Sequence, residues 1–593
     1  MTQRINRLYD IYLNSEKSAI SKNKHSDVNA LLIFPNYYNV AMSNLGFLRV
    51  YELLNALDFM SCDRAFLQDF NSDERAVYNN RGIISIERRK NILDYDLIFF
   101  SLSYENDFIN ILKILHAENI PFLSKDRCKP DTNSKYKNYY PLIMAGGVIS
   151  FLNPEPVAPL FDIMFVGEAE AIFPDFLQIV QNNFQSLKKN KQTVKQNILE
   201  ESSKLEGIYI PSAYDFIFSK RDALEIPVIE NVIVKTSYPE KIKRKWLNYG
   251  FTPSISSITS EYAEFSSMKL IEIARGCKRG CRFCSAAFIY LPARKSSIKD
   301  VISGIAKTEE FEKIGFVGLD TMDNEYIKTY MRFSLEEKKT FSLSSVRFDC
   351  LDESNIDIMN RAGLKTVTLA VETGSERLKK IINKDIKNET ILATIKKIIE
   401  SGIMNIKAYF MIGLPTEDIS DIKETVALIK LMRIQFVESS RKNKRIGKLT
   451  IGLSPFVPKA WTPLQWENFE NEKILSKKLN FIYKELNNLP NISLNVNSVK
   501  SAFTEAFFAR GSRLSLNILI NSFNNNSTIK KAIIASGYKI DDFMRKYSTE
   551  EILPWDILDQ GITKNYLKEE YDRALKYKTT PGCFEGCKRC GIC

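Results

Sequence analysis

The sequence predicts an α/β protein with two parallel-sheet domains and a helical region behind them. Three observations support this fold class: short apolar strands alternate with amphipathic helices, glycines stand where those helices end, and polar residues follow the strands. Over residues 263–469 this alternation predicts a (β/α)6 partial TIM barrel. Residues 28–209 predict a separate doubly wound α/β domain, residues 210–262 a bridging segment, and residues 470–593 a helical C-terminal region.

The six barrel strands are predicted from apolar runs that helices and polar loops separate. After the first run, Ser297 with Asp300 three residues later is typical of a helix N-terminus. After the third run, a helix is predicted to end before Gly363, because glycine favours the left-handed turn that follows a helix. The predicted strands are residues 269–274, 314–319, 341–347, 365–371, 405–412 and 448–453.

The first α/β domain is predicted from four buried strands, two of which end in glycine. Gly146 and Gly147 follow the third strand, and Gly167 with Glu168 follows the fourth. Ligands of open α/β sheets bind where strands end, and glycine lets a ligand approach the backbone closely. We therefore expect a ligand at this edge of the sheet. The four predicted strands are residues 30–35, 96–102, 140–145 and 162–166.

Composition argues against a membrane-spanning or exported protein. The 593 residues are 44% hydrophobic and 26% charged, and no run of about 18 apolar residues occurs. The polar N-terminus predicts no export, and seven of the ten cysteines lie in two tight clusters, which favours metal ligands in a reducing cytoplasm. The net charge of +12 indicates either a solvated lysine-rich surface or an anionic partner such as RNA or a lipid surface.

The first cysteine cluster follows the first predicted barrel strand directly. Cys277, Cys281 and Cys284 have the spacing C-x3-C-x2-C. Three close thiolates without a fourth suit an iron–sulfur cluster in which one iron keeps an open coordination position. The alternatives are a zinc-binding loop or a disulfide pair. The cations beside the motif, which suit a negatively charged cluster, are Arg275, Lys278, Arg279 and Arg282.

Polar, reactive or conformationally special residues follow the first five predicted barrel strands. The active sites of parallel barrels lie at the carboxyl ends of the strands, so we expect these residues to meet on one rim. A zinc loop unrelated to the barrel would not explain this arrangement. In strand order the residues are Cys277, Asp320, Arg347, Glu372 and Gly413.

A second cysteine cluster ends the sequence. Cys583, Cys587, Cys590 and Cys593 have the spacing C-x3-C-x2-C-x2-C. Four thiolates complete a closed site, so the motif predicts either an auxiliary iron–sulfur cluster or tetrahedral zinc. In a further alternative, three of them bind a cluster and one has another role.

The first motif, with Phe283 before its third cysteine, resembles that of the radical S-adenosylmethionine (SAM) enzymes. The resemblance implies a [4Fe-4S] cluster on the three cysteines, SAM on the open iron, and an electron donor such as flavodoxin or ferredoxin. One electron would then cleave SAM into methionine and a 5′-deoxyadenosyl radical. The family often has Gly-Gly-Glu after the second strand. The corresponding run in this chain is Gly318-Leu319-Asp320, with Asp320 in the position of the glutamate. By resemblance, the residues expected around SAM are Phe283, Asp320, Arg347, Glu372, Gly374, Ile412 and Gly413.

The first domain resembles the cobalamin-binding domain that precedes the barrel in one large radical SAM class. The resemblance rests on Gly146-Gly147, the run Asn153-Pro-Glu-Pro156, and Gly167-Glu168. It implies that these glycines and Glu168 contact cobalamin. The alternative is that the domain has lost the cofactor and kept the fold. Because neither His25 nor His116 lies in an Asp-x-His-x-x-Gly motif, we expect no protein histidine on the cobalt.

These resemblances lead to one main hypothesis and two alternatives. The main hypothesis is a cobalamin-type radical SAM enzyme, of an iron–sulfur oxidoreductase group, that methylates or oxidises an unknown substrate. An RNA-modifying methylthiotransferase is the first alternative, although such enzymes carry three N-terminal cysteines and this chain has only Cys62 and Cys128 before the barrel. A non-catalytic, RNA-associated metal-binding protein is the second.

Overall fold

The structure is a computed structural model, and two of the residues discussed above, His25 and Cys593, lie outside the part it describes. The described residues are 2–18, 20, 26–67, 82–128, 140–186, 191–220, 226–307, 313–323, 325–344, 346–384 and 386–592.

The first domain is the predicted open α/β sheet, with six strands where four were predicted. The strand order is β2-β1-β3-β4-β5-β6, in which the first five strands are parallel and β6 is antiparallel to β5. Chain order reverses between β1 and β3, which is the switch point where open sheets bind ligands. The strands are β1 Val28–Tyr37, β2 Met60–Leu67, β3 Leu97–Ser101, β4 Leu142–Gly146, β5 Ile163–Phe165 and β6 Ile208–Tyr209.

Strand β2 was not predicted, because Asp63 and Arg64 interrupt its apolar run. Both side chains are nevertheless buried and ion-paired: Arg64 contacts Glu16 at 2.7 Å and Glu87 at 2.8 Å, and Asp63 contacts Arg88 at 2.7 Å. A buried charge is tolerated when it is paired, so polar residues occur here inside a buried strand.

In the described part of the chain six helices of five or more residues accompany this sheet, and a hairpin leads from it to the barrel. The hairpin joins the antiparallel strands β7 Tyr214–Ser219 and β8 Val228–Val234. The helix after β1 begins behind Asn44, whose side chain accepts a hydrogen bond from the Phe47 amide at 2.9 Å. The helices are Thr2–Ser15, Leu45–Asn55, Phe108–Ala117, Val148–Leu152, Ala169–Ser186 and Lys191–Ser202.

The second domain is a parallel barrel whose strands follow one another in chain order. It has two sheets, β9 to β11 and β12 to β15, and a parallel bridge between Val346 and Leu369 connects them. A seventh strand, β15, extends the six predicted ones and lies in the region predicted to be helical. The strands are β9 Met268–Glu272, β10 Lys313–Val317, β11 Thr340–Leu343, β12 Thr366–Glu372, β13 Asn405–Ile412, β14 Leu449–Pro455 and β15 Ile492–Val496.

Helices cover the outside of the barrel, and two predicted helix boundaries are confirmed. The Ser297 hydroxyl accepts a hydrogen bond from the Asp300 amide at 3.4 Å, and Gly363 has a left-handed φ of +74° just after a helix. The helices are Ile298–Ala306, Ile327–Glu336, Glu353–Arg361, Glu376–Ile381, Asn388–Glu400 and Ile419–Ser440.

The C-terminal region is mainly helical and packs on the cysteine loop of the barrel. Arg282 of that loop is fully buried, and its guanidinium contacts the Glu570 carboxylate at 3.0 Å and the Lys578 carbonyl at 2.8 Å. No helix in the described part of the chain has the length and apolar composition needed to cross a membrane. The C-terminal helices are Glu472–Leu486, Val499–Ala509, Arg513–Asn524, Ile529–Ala535, Ile540–Met544 and Lys564–Leu575.

We expect Glu570→Gln to lower the free energy of unfolding by about 3 kcal/mol, because removing one partner leaves a buried Arg282 charge uncompensated. Urea denaturation followed by tryptophan fluorescence measures this change. The neighbouring exposed residue offers a matched control, and Glu569→Gln should change stability by less than about 0.5 kcal/mol. If the two substitutions lowered the free energy of unfolding equally, the Arg282–Glu570 contact would not stabilise the packing of the C-terminal region on the cysteine loop.

Candidate active site and inter-domain cavity

The cysteine loop leaves β9 through a close backbone contact that requires glycine. Gly276 has a φ of +79°, and a Cβ atom there would lie 2.5 Å from the Tyr290 carbonyl oxygen. Within the loop, the Arg279 amide donates to the Cys277 sulfur at 3.5 Å, and the Cys284 amide donates to the Cys281 carbonyl at 3.1 Å. These contacts shape a tight loop around the thiols.

The three thiols of this loop interact with one another electrostatically and are only partly exposed. Burial raises the pKa of Cys277 to about 12 and that of Cys284 to about 11. Burial also raises the pKa of Cys281, although the nearby positive charges of Lys384 and Arg347 act to lower it. Without metal the thiols are therefore protonated at neutral pH, and metal binding must release their protons.

The thiol donors of this loop suit an iron–sulfur cluster. Among the described residues, no group of three Cys, His, Asp or Glu side chains forms a single-ion site. The ligands of a single zinc ion must converge on one point, whereas each cysteine of a [4Fe-4S] cluster binds a different iron. Three soft thiolates on one loop match that donor set.

Asp320 and Arg347 lie on the same rim as the thiols, as expected. Both carry charges that act on the Cys281 thiol. The Asp320 carboxylate accepts a hydrogen bond from Arg279 at 2.9 Å, and the same guanidinium contacts the Cys350 sulfur at 3.3 Å. Arg279 thus connects the cysteine loop to the ends of the second and third barrel strands.

Glu372, at the end of β12, has a strained backbone and a buried charged partner. Its φ is +72°, next to a register shift between Ala370 and Glu372. Its carboxylate accepts a 2.7 Å hydrogen bond from Lys384, and both charges act on Cys281 and Cys284. Sequence reasoning missed Lys384, since an isolated lysine far from any strand end carries no signal in a lysine-rich chain.

Contacts within the fold account for the residue types at positions 374, 412 and 413. A Cβ atom on Gly374 would lie 2.5 Å from the Thr425 Cα, and Ile412 is fully buried. Gly413 has a φ of +78°, and its amide donates to the Glu417 carboxylate at 2.7 Å. Phe283 is partly buried against the core. Their contact with SAM stays a prediction.

A cavity of about 720 Å³ lies between the two domains. From the first domain it is lined by the loops after β1, β3, β4 and β5, at the switch point of the sheet. From the barrel it is lined by alternate residues of β9, while Ile271 on the opposite face of β9 approaches the helix at Gly304. The lining residues that matter below are Asn44, Ser101, Ser103, Gly146, Arg275 and Gly276.

The glycines predicted to contact a ligand line this cavity, but two are required by the chain itself. Gly147 has a φ of +102°, and a Cβ atom there would lie 2.5 Å from the Leu102 carbonyl oxygen. Gly167 has a φ of +132° and packs similarly against Lys245. Only Gly146 has room for a side chain toward the cavity, with the nearest atom of Phe165 3.7 Å away.

An ion-pair network joins the two domains beside the cavity. Arg275 contacts Glu168 at 2.8 Å, Glu170 at 2.8 Å and Glu272 at 2.7 Å, and Arg294 contacts Glu168 at 2.7 Å. Burial alone would raise the pKa of Glu168, but the hydrogen bond from Arg294 and the charge of Arg275 lower it below its ordinary value. The pKa of Glu170 is lowered in the same way by Arg275.

The C-terminal cysteines lie beside the first cysteine loop. The Cys583 amide donates to the Lys278 carbonyl at 2.6 Å, and Cys277, Cys583, Cys587 and Cys590 line one cavity of about 30 Å³. A hydrogen bond from Arg589 lowers the pKa of Cys587 to about 7. The predicted fourth ligand, Cys593, lies outside the described residues.

Comparisons with known proteins agree with this site. The family described as "Radical SAM proteins, N-terminal" matches residues 46–211, and the "Radical SAM superfamily" matches residues 271–429. An uncharacterized protein of Methanocaldococcus jannaschii is 29% identical over 543 residues, covering 91% of this chain and 98% of that protein. The cytidylyl-2-hydroxyethylphosphonate methyltransferase of Streptomyces wedmorensis is 25% identical over 179 residues, covering 29% of this chain and 33% of its own length.

Two solved structures are also similar to the chain. The radical SAM methyltransferase TsrM of Kitasatospora setae, with cobalamin and a [4Fe-4S] cluster bound, has a TM-score of 0.44 and 12% identity, over 74% of this chain and 77% of that chain. The cobalamin-dependent radical SAM enzyme OxsB has a TM-score of 0.42 and 13% identity, over 93% of this chain and 80% of that one.

A parallel barrel with three thiols on the loop after its first strand defines a cofactor-dependent barrel enzyme. The two family matches together span more than half of the chain, and the chain belongs to the radical SAM superfamily. It is therefore an enzyme whose family uses a [4Fe-4S] cluster and SAM.

We expect Glu168→Gln to lower the free energy of unfolding by about 3 kcal/mol at neutral pH, because it leaves two buried cations undercompensated. The pKa of Glu168 lies below its ordinary value of 4.5 in the folded state, so its contribution is present above that pH and is lost as pH falls further. Urea unfolding at several pH values should show the wild-type advantage shrinking below pH 4.5.

The control for this prediction is Glu206→Gln. Glu206 forms an ion pair with Lys243 at 3.7 Å in which both side chains are exposed, so its loss should matter little at any pH. An advantage of wild type over Glu168→Gln that grew as pH fell would contradict the assigned pKa direction.

Proposed function

We propose that Cys277, Cys281 and Cys284 bind the [4Fe-4S] cluster of this radical SAM enzyme, and that the inter-domain cavity binds cobalamin. The enzyme would methylate or oxidise an unactivated carbon of a substrate that is still to be identified. One observation carries the proposal: the cavity is lined by Arg275 and Gly276, which immediately precede the first cysteine of the loop. A ligand in the cavity would therefore lie next to the cluster loop.

The cluster would supply the electron that cleaves SAM into methionine and a 5′-deoxyadenosyl radical. The chain's own contribution is a charged rim around the thiols. Lys384 and Arg347 place positive charge near Cys281, which compensates the negative charge of a thiolate-bound cluster. Asp320 is held by Arg279, so its carboxylate has a fixed position in which it would accept a hydrogen bond from the amino group of SAM.

Several features of the cavity fit cobalamin. Its volume of about 720 Å³ lies in the range of roughly 300–1,000 Å³ that is usual for ligand and cofactor sites. The Asn44 side chain donates a hydrogen bond to the Ser103 hydroxyl at 3.1 Å. Polar groups that can orient the amide side chains of cobalamin therefore lie at the strand ends. Cobalamin would supply a cobalt centre that carries a methyl group.

The cobalt would have no histidine ligand from the described part of the chain. His116 is the histidine described there, and it packs 5.2 Å from the Phe523 ring instead of lining the cavity.

We expect Cys277→Ala, Cys281→Ala and Cys284→Ala each to abolish 5′-deoxyadenosine formation and to remove roughly four irons per chain, because three thiolates hold the cluster. Iron and sulfide analysis of anaerobically purified protein, and chromatography of reactions with SAM and dithionite, measure both effects. Cys62→Ala is the matched control, since Cys62 lies buried in the first domain. Unchanged activity in the loop variants would rule out the assignment of the cluster to this loop.

Filling the cavity at Gly146 tests cobalamin binding separately. Protein from cells supplied with cobalamin should hold about one cobalt per chain, and Gly146→Phe should lose most of it because the ring enters the cavity. Gly146 is distant in sequence from the cluster loop, so iron content and 5′-deoxyadenosine formation should persist. Cobalt bound equally by both proteins, or by neither, would refute a cobalamin site in this cavity.

A further inference from the structure

We propose that the C-terminal cysteines bind a second iron–sulfur cluster, through which single electrons enter the first cluster from a donor protein. The inference rests on the proposed function, because it requires a first cluster on the barrel loop. Its ligands in the described part of the chain are Cys583, Cys587 and Cys590.

The C-terminal segment is fixed to the backbone of the first cysteine loop. Besides the bond from the Cys583 amide to the Lys278 carbonyl, the Asn383 side chain donates to the Gly280 carbonyl at 3.1 Å and to the Thr580 carbonyl at 3.1 Å. The Thr580 amide donates back to Asn383 at 2.8 Å. The Asn383 side chain thus bridges the two cysteine segments through hydrogen bonds to the main chain of each.

The two sets of thiols share one small cavity. Cys277 lines it from the barrel loop, and Cys583, Cys587 and Cys590 line it from the C-terminal segment. Its volume of about 30 Å³ is that of roughly one water molecule, so the two sets of thiols lie close together. What the arrangement provides is a short path between two metal sites.

The second site also faces away from the substrate side. The lining of the large inter-domain cavity, within the described residues, includes none from the C-terminal segment. Around the C-terminal cysteines, Phe584 is 62% exposed, and Lys588 and Arg589 are exposed together with one carboxylate, Glu585. An apolar ring with two cations beside it suits an acidic electron-carrier protein, which positive charge would steer to this surface.

The ligand chemistry suits iron and sulfide. The three described thiols line one cavity beside the loop that would hold the first cluster, and thiolates are the ligands of iron–sulfur clusters. Hydrogen bonds to cluster sulfurs tune reduction potential, and Arg589 already donates to the Cys587 sulfur at 3.2 Å. In the transfer, the reduced donor loses one electron and the oxidised first cluster gains it through the second. No bond forms or breaks and no proton moves.

The experiment compares full-length wild type with Cys587→Ser and Cys590→Ser, and uses Glu569→Gln, at an exposed position outside the proposed docking surface, as the control that keeps every thiol. Both cysteine variants should lose about half of the iron and sulfide of wild type and one of two electron paramagnetic resonance signals. With dithionite, a small-molecule reductant, they should still form 5′-deoxyadenosine. With reduced flavodoxin, stopped-flow absorbance should show the first cluster reduced about tenfold more slowly or worse.

Two results would overturn the inference. One is zinc, or no metal, bound by the C-terminal cysteines of wild type. The other is normal reduction by flavodoxin in variants that have lost the second cluster. Failure of the proposed function looks different, because wild type would then form no 5′-deoxyadenosine even with dithionite. Circular dichroism of the serine variants excludes misfolding, and Arg589→Gln, which keeps all thiols, should shift the potential of the second signal.

Discussion

The arrangement of the active site depends on how Arg275 is held. This cation lies between two carboxylates of the first domain, Glu168 and Glu170, and one of the barrel, Glu272. Burial disfavours its charge, but the three carboxylates raise its pKa above the ordinary value, so it stays ionised. Because such a charge is costly without its partners, the two domains are held in one relative position at this point.

That position determines where the cysteine loop begins. Arg275, Gly276 and Cys277 are consecutive, and the first two line the inter-domain cavity while the third lines the small cavity on the C-terminal side. The loop therefore separates two compartments. On one side is the inter-domain cavity of about 720 Å³, and on the other is a packed contact with a second set of thiols. A short segment whose backbone is constrained by Gly276 therefore lines both compartments.

Local sequence patterns predicted the barrel strands, the first cysteine motif and most of the first sheet, because each depends on residues close in the chain. The strand Met60–Leu67 was missed because its charges are neutralised by distant partners such as Glu16 and Glu87. Lys384 was missed for the same reason, since its importance comes from a contact with Glu372. The approach of the C-terminal segment to Lys278 joins residues some 300 positions apart, which no local pattern can indicate.

Contacts between distant residues also explain why glycine is needed at two positions of the first domain. Their sequence context suggested room for a ligand, yet Gly147 and Gly167 are needed because the backbones of Leu102 and Lys245 pass too close for a side chain. The ligand space comes instead from the missing side chain of Gly146 and from the gap between the domains. Ligand size at this site is therefore governed by the distance between the sheet edge and the barrel. The Arg275 ion pairs, not the glycines, maintain that distance.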